Sequence, residues 1–273
     1  MFNPNNHSGH SGPNGPNNQN GPSGPNGPNN KNKSNKSSLQ SQAVGTSLSR
    51  HLDQETREES LFYNGRSWSE LVPVPKNCAQ AYVYACSPRP NGNTDFASML
   101  VMEELDELGV SYDDIFLREY KLTSCGGCQK CGEQKNGICN LSTSDDTQEL
   151  FNPLLGAQSL FFVAPIYFYH LPAQFKAFID RSQAYWVQYS LGSPVMHGLP
   201  KRKAYTILLC AREKGEKIFQ GSLLSLRFFL APFNIELAEP LLLRNLDRPG
   251  DLAARPDIQE QILNYTRQAF EHA

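Results

Sequence analysis

Four cysteines fall in one short stretch, Cys125-Gly-Gly-Cys128-Gln-Lys-Cys131, with Cys139 following after seven intervening residues. Thiols spaced by two residues can face one centre when the loop that carries them curls. Four thiolates then suit either a [4Fe–4S] cluster or a structural zinc ion. The compact Cys-x-x-Cys-x-x-Cys run is of the ferredoxin type, whereas zinc knuckles usually set two Cys-x-x-Cys pairs across a longer spacer. Gly126, Gly127, Gly132 and Gly137 give this loop the backbone freedom to wrap a small group. A cluster, a zinc ion and metal-free thiols all remain open on these residues alone. Cys78, Cys86 and Cys210 lack the spacing. Cys86 and Cys210 end predicted strands and read as small buried hydrophobes.

Two further segments could do chemistry. In Cys86-Ser-Pro-Arg-Pro-Asn-Gly-Asn-Thr94, the hydroxyls of Ser87 and Thr94, the Asn93 amide, the Arg89 guanidinium and the backbone N–H groups of a following helix would form an anion cradle. No Gly-Lys-Ser/Thr follows, so it is not a P-loop, and Gly-x-Gly-x-x-Gly is absent, which disfavours a dinucleotide-binding loop. In Ala164-Pro-Ile-Tyr-Phe-Tyr-His-Leu-Pro172, aromatic residues offer a flat surface for a planar ring. Tyr167, Phe168 and Tyr169 cannot all point inward in a tight turn, so a pocket wall is expected. His170 reads as a surface histidine, and no side chain is assigned as a catalytic acid or base.

The elements that must position these segments alternate along the chain. Apolar runs predict strands over residues 81–86, 111–120, 159–164, 205–210 and 235–243. Between them, 3.6-residue periodicity and cap signals predict helices over 94–108, from Asp145 or Asp146 to 155, and over 173–186, 218–233 and 256–270, the last with proline near its first turn. This alternation predicts an α/β fold: a three-layer, doubly wound, five-stranded parallel sheet in the flavodoxin-like order 2-1-3-4-5. All three chemical segments would then follow strands, at the carboxyl edge of the sheet.

Composition bounds the rest. The chain has 273 residues, a formal charge of −2 and 39% apolar residues. Residues 1–38 hold only Met1 and Phe2 as large apolar side chains before a run of Asn, Gly, Pro, Ser and Lys, so a disordered tail is expected there. Its Gly-Pro-Asn triplets break register too soon for a collagen helix. Residues 39–75 read as a transition segment or arm, and 76–273 as the folded domain, with the four-cysteine loop at 125–139. The near-neutral charge argues against nucleic acid and anionic membranes as partners. The longest near-apolar run, 159–169, is too short to span a bilayer. No apolar signal region follows Met1-Phe2, and seven cysteines without one suggest a reducing, cytoplasmic setting.

Taken together, the three segments resemble the NAD(P)H-dependent FMN reductase-like branch of the flavodoxin-like superfamily, and specifically its iron–sulfur flavoproteins, over residues 80–270. The resemblance implies that Ser87, Pro88, Arg89, Gly92, Asn93 and Thr94 bind the FMN phosphate. It places Pro165, Ile166, Tyr167 and Phe168 beside the flavin ring, and Cys125, Cys128, Cys131 and Cys139 as ligands of a [4Fe–4S] cluster. The implied activity is an FMN-dependent oxidoreductase that passes electrons between flavin and cluster. NAD(P)H or a ferredoxin would be the donor, and a quinone, an oxygen species or another small molecule the acceptor. A homodimer or higher homo-oligomer is implied as well. Two other classes stand beside it: a non-enzymatic flavin and iron–sulfur electron carrier, and a flavin-free, zinc-stabilised interaction protein. The sequence departs from the family pattern in having Cys86 where glycine usually precedes the phosphate-loop serine, in a long Cys131–Cys139 spacer, and in the loop Cys210-Ala-Arg-Glu-Lys-Gly215.

Overall fold

The computed structural model of this chain describes residues 62–63, 66–133 and 137–271. The predicted disordered tail, and most of the arm, lie outside them. A two-residue antiparallel pairing of Phe62–Tyr63 with Arg66–Ser67 leads into a helical turn at Trp68–Leu71. Leu71 and Val72 are already buried in the main apolar core.

The strands and helices then alternate: β1 (Ala81–Ala85), α1 (Asn93–Glu107), β2 (Tyr112–Phe116), α2 (Thr147–Gly156), β3 (Ser159–Pro165), α3 (Ala173–Arg181), α4 (Gln183–Ser190), β4 (Arg202–Leu209), α5 (Gln220–Leu230), β5 (Ile235–Leu237), β6 (Leu241–Leu243) and α6 (Pro256–Gln268). The sheet runs β2-β1-β3-β4, and both β5 and β6 pair with β4. Every pairing in it is parallel, with Ala81 opposite both Tyr112 and Ser159, and Ser159 opposite Lys203. This is the predicted flavodoxin-like order.

Period-two alternation gives the sheet two apolar faces. Ala81, Val83, Phe161, Val163, Ile207 and Leu209 share one core with α1 and α6. Tyr84, Phe162, Ala164 and Leu208 share the other with α2, α3, α4 and α5. The aromatic residues of that second core stack on one another, Tyr84 on Phe162 at 4.8 Å and Phe151 against both Phe178 at 4.6 Å and Tyr185 at 4.7 Å.

Three predicted elements differ in detail. The second strand stops at Phe116 and turns through a 3₁₀ segment at Leu117–Glu119, which aims Arg118 at the Asp95 carboxylate 2.9 Å away. The helix predicted over 173–186 breaks at Ser182 and restarts as α4, directly after the buried Arg181. The last strand splits in two around Pro240, which has no N–H for the ladder; β5 pairs with the start of β4 and β6 with its end.

Candidate functional site

All these strands being parallel, the loops after β1, β2, β3, β4 and β6 open on one edge of the sheet. The three segments with chemical potential are therefore neighbours by topology.

In the loop after β1, Ser87 is buried, and its hydroxyl both donates to the Arg89 carbonyl (3.1 Å) and accepts the Arg89 N–H (3.2 Å). Arg89 folds back across Gly92, where a Cβ would lie 3.2 Å from the Arg89 Nε. Helix α1 starts at Asn93 with no side-chain cap on its first N–H groups. Asn93 is turned away from the loop: its amide donates to the Arg248 carbonyl (2.9 Å) and its amide oxygen accepts the Leu252 N–H (3.2 Å). Asp95, in the first turn, would repel an anion, but Arg118 neutralises it and the Asn91 N–H bonds its other oxygen (2.8 Å).

The loop after β3 is a tight two-residue turn. Tyr167 and His170 exchange backbone hydrogen bonds of 2.8 and 3.0 Å, and Phe168 and Tyr169 between them both adopt left-handed φ, at 49° and 64°. Aromatic residues resist that conformation, and two in succession mark stored strain. The strain leaves Phe168 fully exposed, with Tyr167 and Tyr169 half-exposed. His170 serves this turn as a brace: its Nδ1 accepts the Leu171 N–H (2.9 Å), so the neutral ring carries its proton on Nε2, 3.0 Å from the Ser225 hydroxyl. The loop after β4 joins in through Arg212, which donates to the Tyr169 hydroxyl (3.2 Å) and lies 5.9 Å from that ring's centre.

The four-cysteine loop is tied off at its base. The Asp146 N–H donates to the Lys121 carbonyl (3.0 Å), the Lys121 N–H to the Asp146 carboxylate (2.7 Å), and the Thr123 N–H to Asp145 (3.0 Å). Cys125, Cys128, Cys131 and Cys139 all line one cavity of about 570 Å³, whose far wall is Asp180, Arg181, Gln183, Ala184 and Val187 of α3 and α4. Among the described residues, no three Cys, His, Asp or Glu side chains close on a single point as a metal ion would require. Burial, together with the charges of Cys139 and Cys125, pushes the Cys131 thiol up. Two of the loop's glycines have left-handed φ, Gly127 at 62° and Gly137 at 61°. At Gly137 a side chain would also collide with Gln188, whose amide donates to the Gly137 carbonyl (2.9 Å).

Arg181 carries no signal of its own in the sequence beyond standing on the buried stripe of α3. It is almost fully buried and donates to the Thr123 carbonyl (2.9 Å) and to the Asp145 carboxylate (2.5 Å). Burial alone would raise the Asp145 pKa, but the bonds from Arg181, Thr147 and the Thr123 N–H hold it well below the usual carboxylate range. Cys86 and Cys210 are buried as expected, their S–H groups donating to the carbonyls of Tyr84 (3.4 Å) and Arg212 (3.2 Å).

Comparison with known proteins agrees with this frame. Residues 81–200 match the model of the NADPH-dependent FMN reductase family. An iron-sulfur flavoprotein of Methanocaldococcus jannaschii is 31% identical over 109 residues, which are 40% of this chain and 54% of that protein. One from Methanosarcina thermophila is 30% identical over 96 residues, 35% of this chain and 48% of the relative. The chain thus spans about half the length of the curated relatives it matches. In fold it is similar to an NAD(P)H:quinone oxidoreductase from Methanothermobacter marburgensis, with a TM-score of 0.57, 17% identity and coverage of 72% of this chain and 98% of the other. It is also similar to an FMN-dependent NADH-azoreductase from Bacillus anthracis, with a TM-score of 0.51, 14% identity and coverage of 69% and 98%. Residues 81–200, with the flavodoxin-like sheet that frames them, are thus similar to the NADPH-dependent FMN reductase family.

Proposed function

We propose that this protein is an FMN-dependent NAD(P)H oxidoreductase in which a [4Fe–4S] cluster, held by Cys125, Cys128, Cys131 and Cys139, exchanges electrons with the flavin and a small acceptor such as a quinone or an oxygen species. The observation that carries the reading is the gathering of the phosphate-type loop, the aromatic turn and the four-cysteine loop at one carboxyl edge of a flavodoxin-ordered sheet. The flavin supplies the hydride and electron chemistry when bound, and the chain supplies anchoring and orientation.

Each loop fits its part. The uncapped N-terminus of the fifteen-residue α1 favours a phosphate through its free N–H groups and dipole. Ser87, Pro88, Arg89, Gly92, Asn93 and Thr94 would hold that phosphate, with Arg89 supplying the charge and Asn93 its backbone N–H. Pro165, Ile166, Tyr167 and Phe168 would flank the ring, and the exposed faces of Tyr167 and Phe168 suit stacking. At the cysteines, zinc would need its sulfurs within ~2.3 Å of one point, an arrangement absent among the described residues. A cluster instead presents four separate irons, so thiols spread over the wall of one roomy cavity support it better than zinc.

A homodimer accounts for the exposed Trp186, Leu224 and Phe228, which line a groove between α3, α4 and α5. Among the described residues, no helix is long and apolar enough to cross a membrane, and free thiols suit a reducing cytoplasm. Anaerobic purification followed by a visible spectrum, flavin extraction and iron and sulfide analysis tests the whole reading. Flavin with stoichiometric iron and sulfide is the expected result. Zinc without flavin would overturn it, and flavin and cluster without NAD(P)H turnover would leave the electron-carrier reading in its place.

A further inference from the structure

We infer that Arg181 is a positioning residue for the cysteine cavity: clamped from behind by Asp145, it presents a fixed, desolvated positive charge beside Cys139 that favours the reduced state of a thiolate-bound cluster. The inference rests on the proposed cluster. Arg181 forms part of the cavity wall and Asp145 does not, so the guanidinium is the nearer end of the pair. Their side chains are 1% and 0% exposed, which removes the water that would otherwise screen them.

The donor inventory points the same way. Nη1 donates to the Thr123 carbonyl and to Asp145, and Nη2 makes a longer 3.4 Å contact with Asp145. Nε, fully buried, finds no hydrogen-bond acceptor among the described residues. A buried guanidinium N–H without a partner is costly, and it marks a place where a further acceptor belongs. The Cys139 thiol interacts electrostatically with this guanidinium.

Reduction adds one electron, and so one negative charge, to a cluster that already carries four thiolate ligands. A nearby cation therefore stabilises the reduced form more than the oxidised one and raises the potential, while a nearby anion lowers it. The buried pair makes the sign testable because its two members pull in opposite directions. Asp145→Asn leaves the cation unbalanced, and Arg181→Gln leaves the anion unbalanced.

The test is a redox titration of the full-length, anaerobically purified protein, followed by the electron paramagnetic resonance signal of the reduced cluster, with iron and sulfide counted in every sample. At a fixed applied potential, D145N should raise the reduced-to-oxidised ratio about tenfold and R181Q should lower it about tenfold, each equivalent to about 59 mV for one electron. Arg181→Lys, which keeps the charge, should stay within about threefold of the parent. If R181Q does not fold, D145N against R181K still decides the sign. Iron-replete D145N with an unchanged or lowered ratio overturns the inference while leaving the cluster standing. A parent protein without iron and sulfide overturns the cluster reading, and this inference with it.

Discussion

Gly137→Ala is the sharpest test of how the four-cysteine loop is held. The Cβ of an alanine here would lie 1.9 Å from Cγ and 2.9 Å from Cδ of Gln188. Gln188 is 2% exposed and bonded to the Gly137 carbonyl, so it cannot swing into solvent to make room. Three costs add up. A left-handed φ of 61° penalises a residue with a Cβ by about 1–2 kcal/mol. Displacing the Gln188 amide forfeits a buried hydrogen bond worth about 1 kcal/mol. Overpacking adds about 1–3 kcal/mol. The sum is about 3–6 kcal/mol, large beside the ~5–15 kcal/mol that stabilises an ordinary domain. Urea unfolding of Gly137→Ala, Gln188→Ala and the double variant would measure it. Since Gln188→Ala removes the colliding atoms, the double variant should be more stable than the sum of the single effects predicts, by about 1–3 kcal/mol. A loss below about 1 kcal/mol for Gly137→Ala, or strict additivity in the cycle, would refute the steric argument.

Arg202 is buried and donates to three backbone carbonyls, those of Ala157 (2.8 Å), Leu154 (2.7 Å) and Phe233 (3.0 Å), so Arg202→Met should cost about 3–5 kcal/mol in denaturant unfolding by stranding all three. Asp145 has a folded pKa below its ordinary 3.8, so its stabilisation is present above pH 4 or so and is lost as pH falls below that value. Unfolding midpoints measured from pH 7 down to 3 should accordingly fall less steeply in Asp145→Asn than in the parent. Phe168 is fully exposed and left-handed, so Phe168→Gly should leave stability unchanged or raise it by about 1 kcal/mol, while flavin titration followed by fluorescence quenching should show weaker FMN binding. A clear loss of stability would mean that the turn is not strained.

Much of this molecule is legible in its residues because the signals are local. The apolar runs of β1, β3 and β4 and the periodicity of α1 need no partner to be seen, and their alternation specifies the parallel sheet. The breaks are a different matter. Ser182 looks like any helical serine, and the interruption there goes with the burial of the neighbouring Arg181 against a carboxylate 36 residues away in sequence. Arg118 leaves its strand early for the same kind of reason, to meet Asp95. Asn93 reads as a loop ligand because of its position, whereas its amide is spent on the distant chain at Arg248 and Leu252. Long-range polar pairing leaves no trace in a window of ten residues. It decided which side chains of the candidate site face inward.

The knot of hydrogen bonds joining Lys121 and Thr123 to Asp145 and Asp146 has a bearing on how such a chain can change over time. With both ends of the cysteine segment fastened at one point, the start of helix α2 is tied to the chain beyond strand β2 by bonds that lie outside the cysteines themselves. Lengthening a segment closed in this way costs little, about 0.6 kcal/mol for each doubling. Insertions, deletions or a wholly different metal-binding or metal-free segment could be exchanged there without altering the register of a single strand. The same sheet could then serve a flavin alone or a flavin with a second redox centre, the difference being confined to one stretch of sequence.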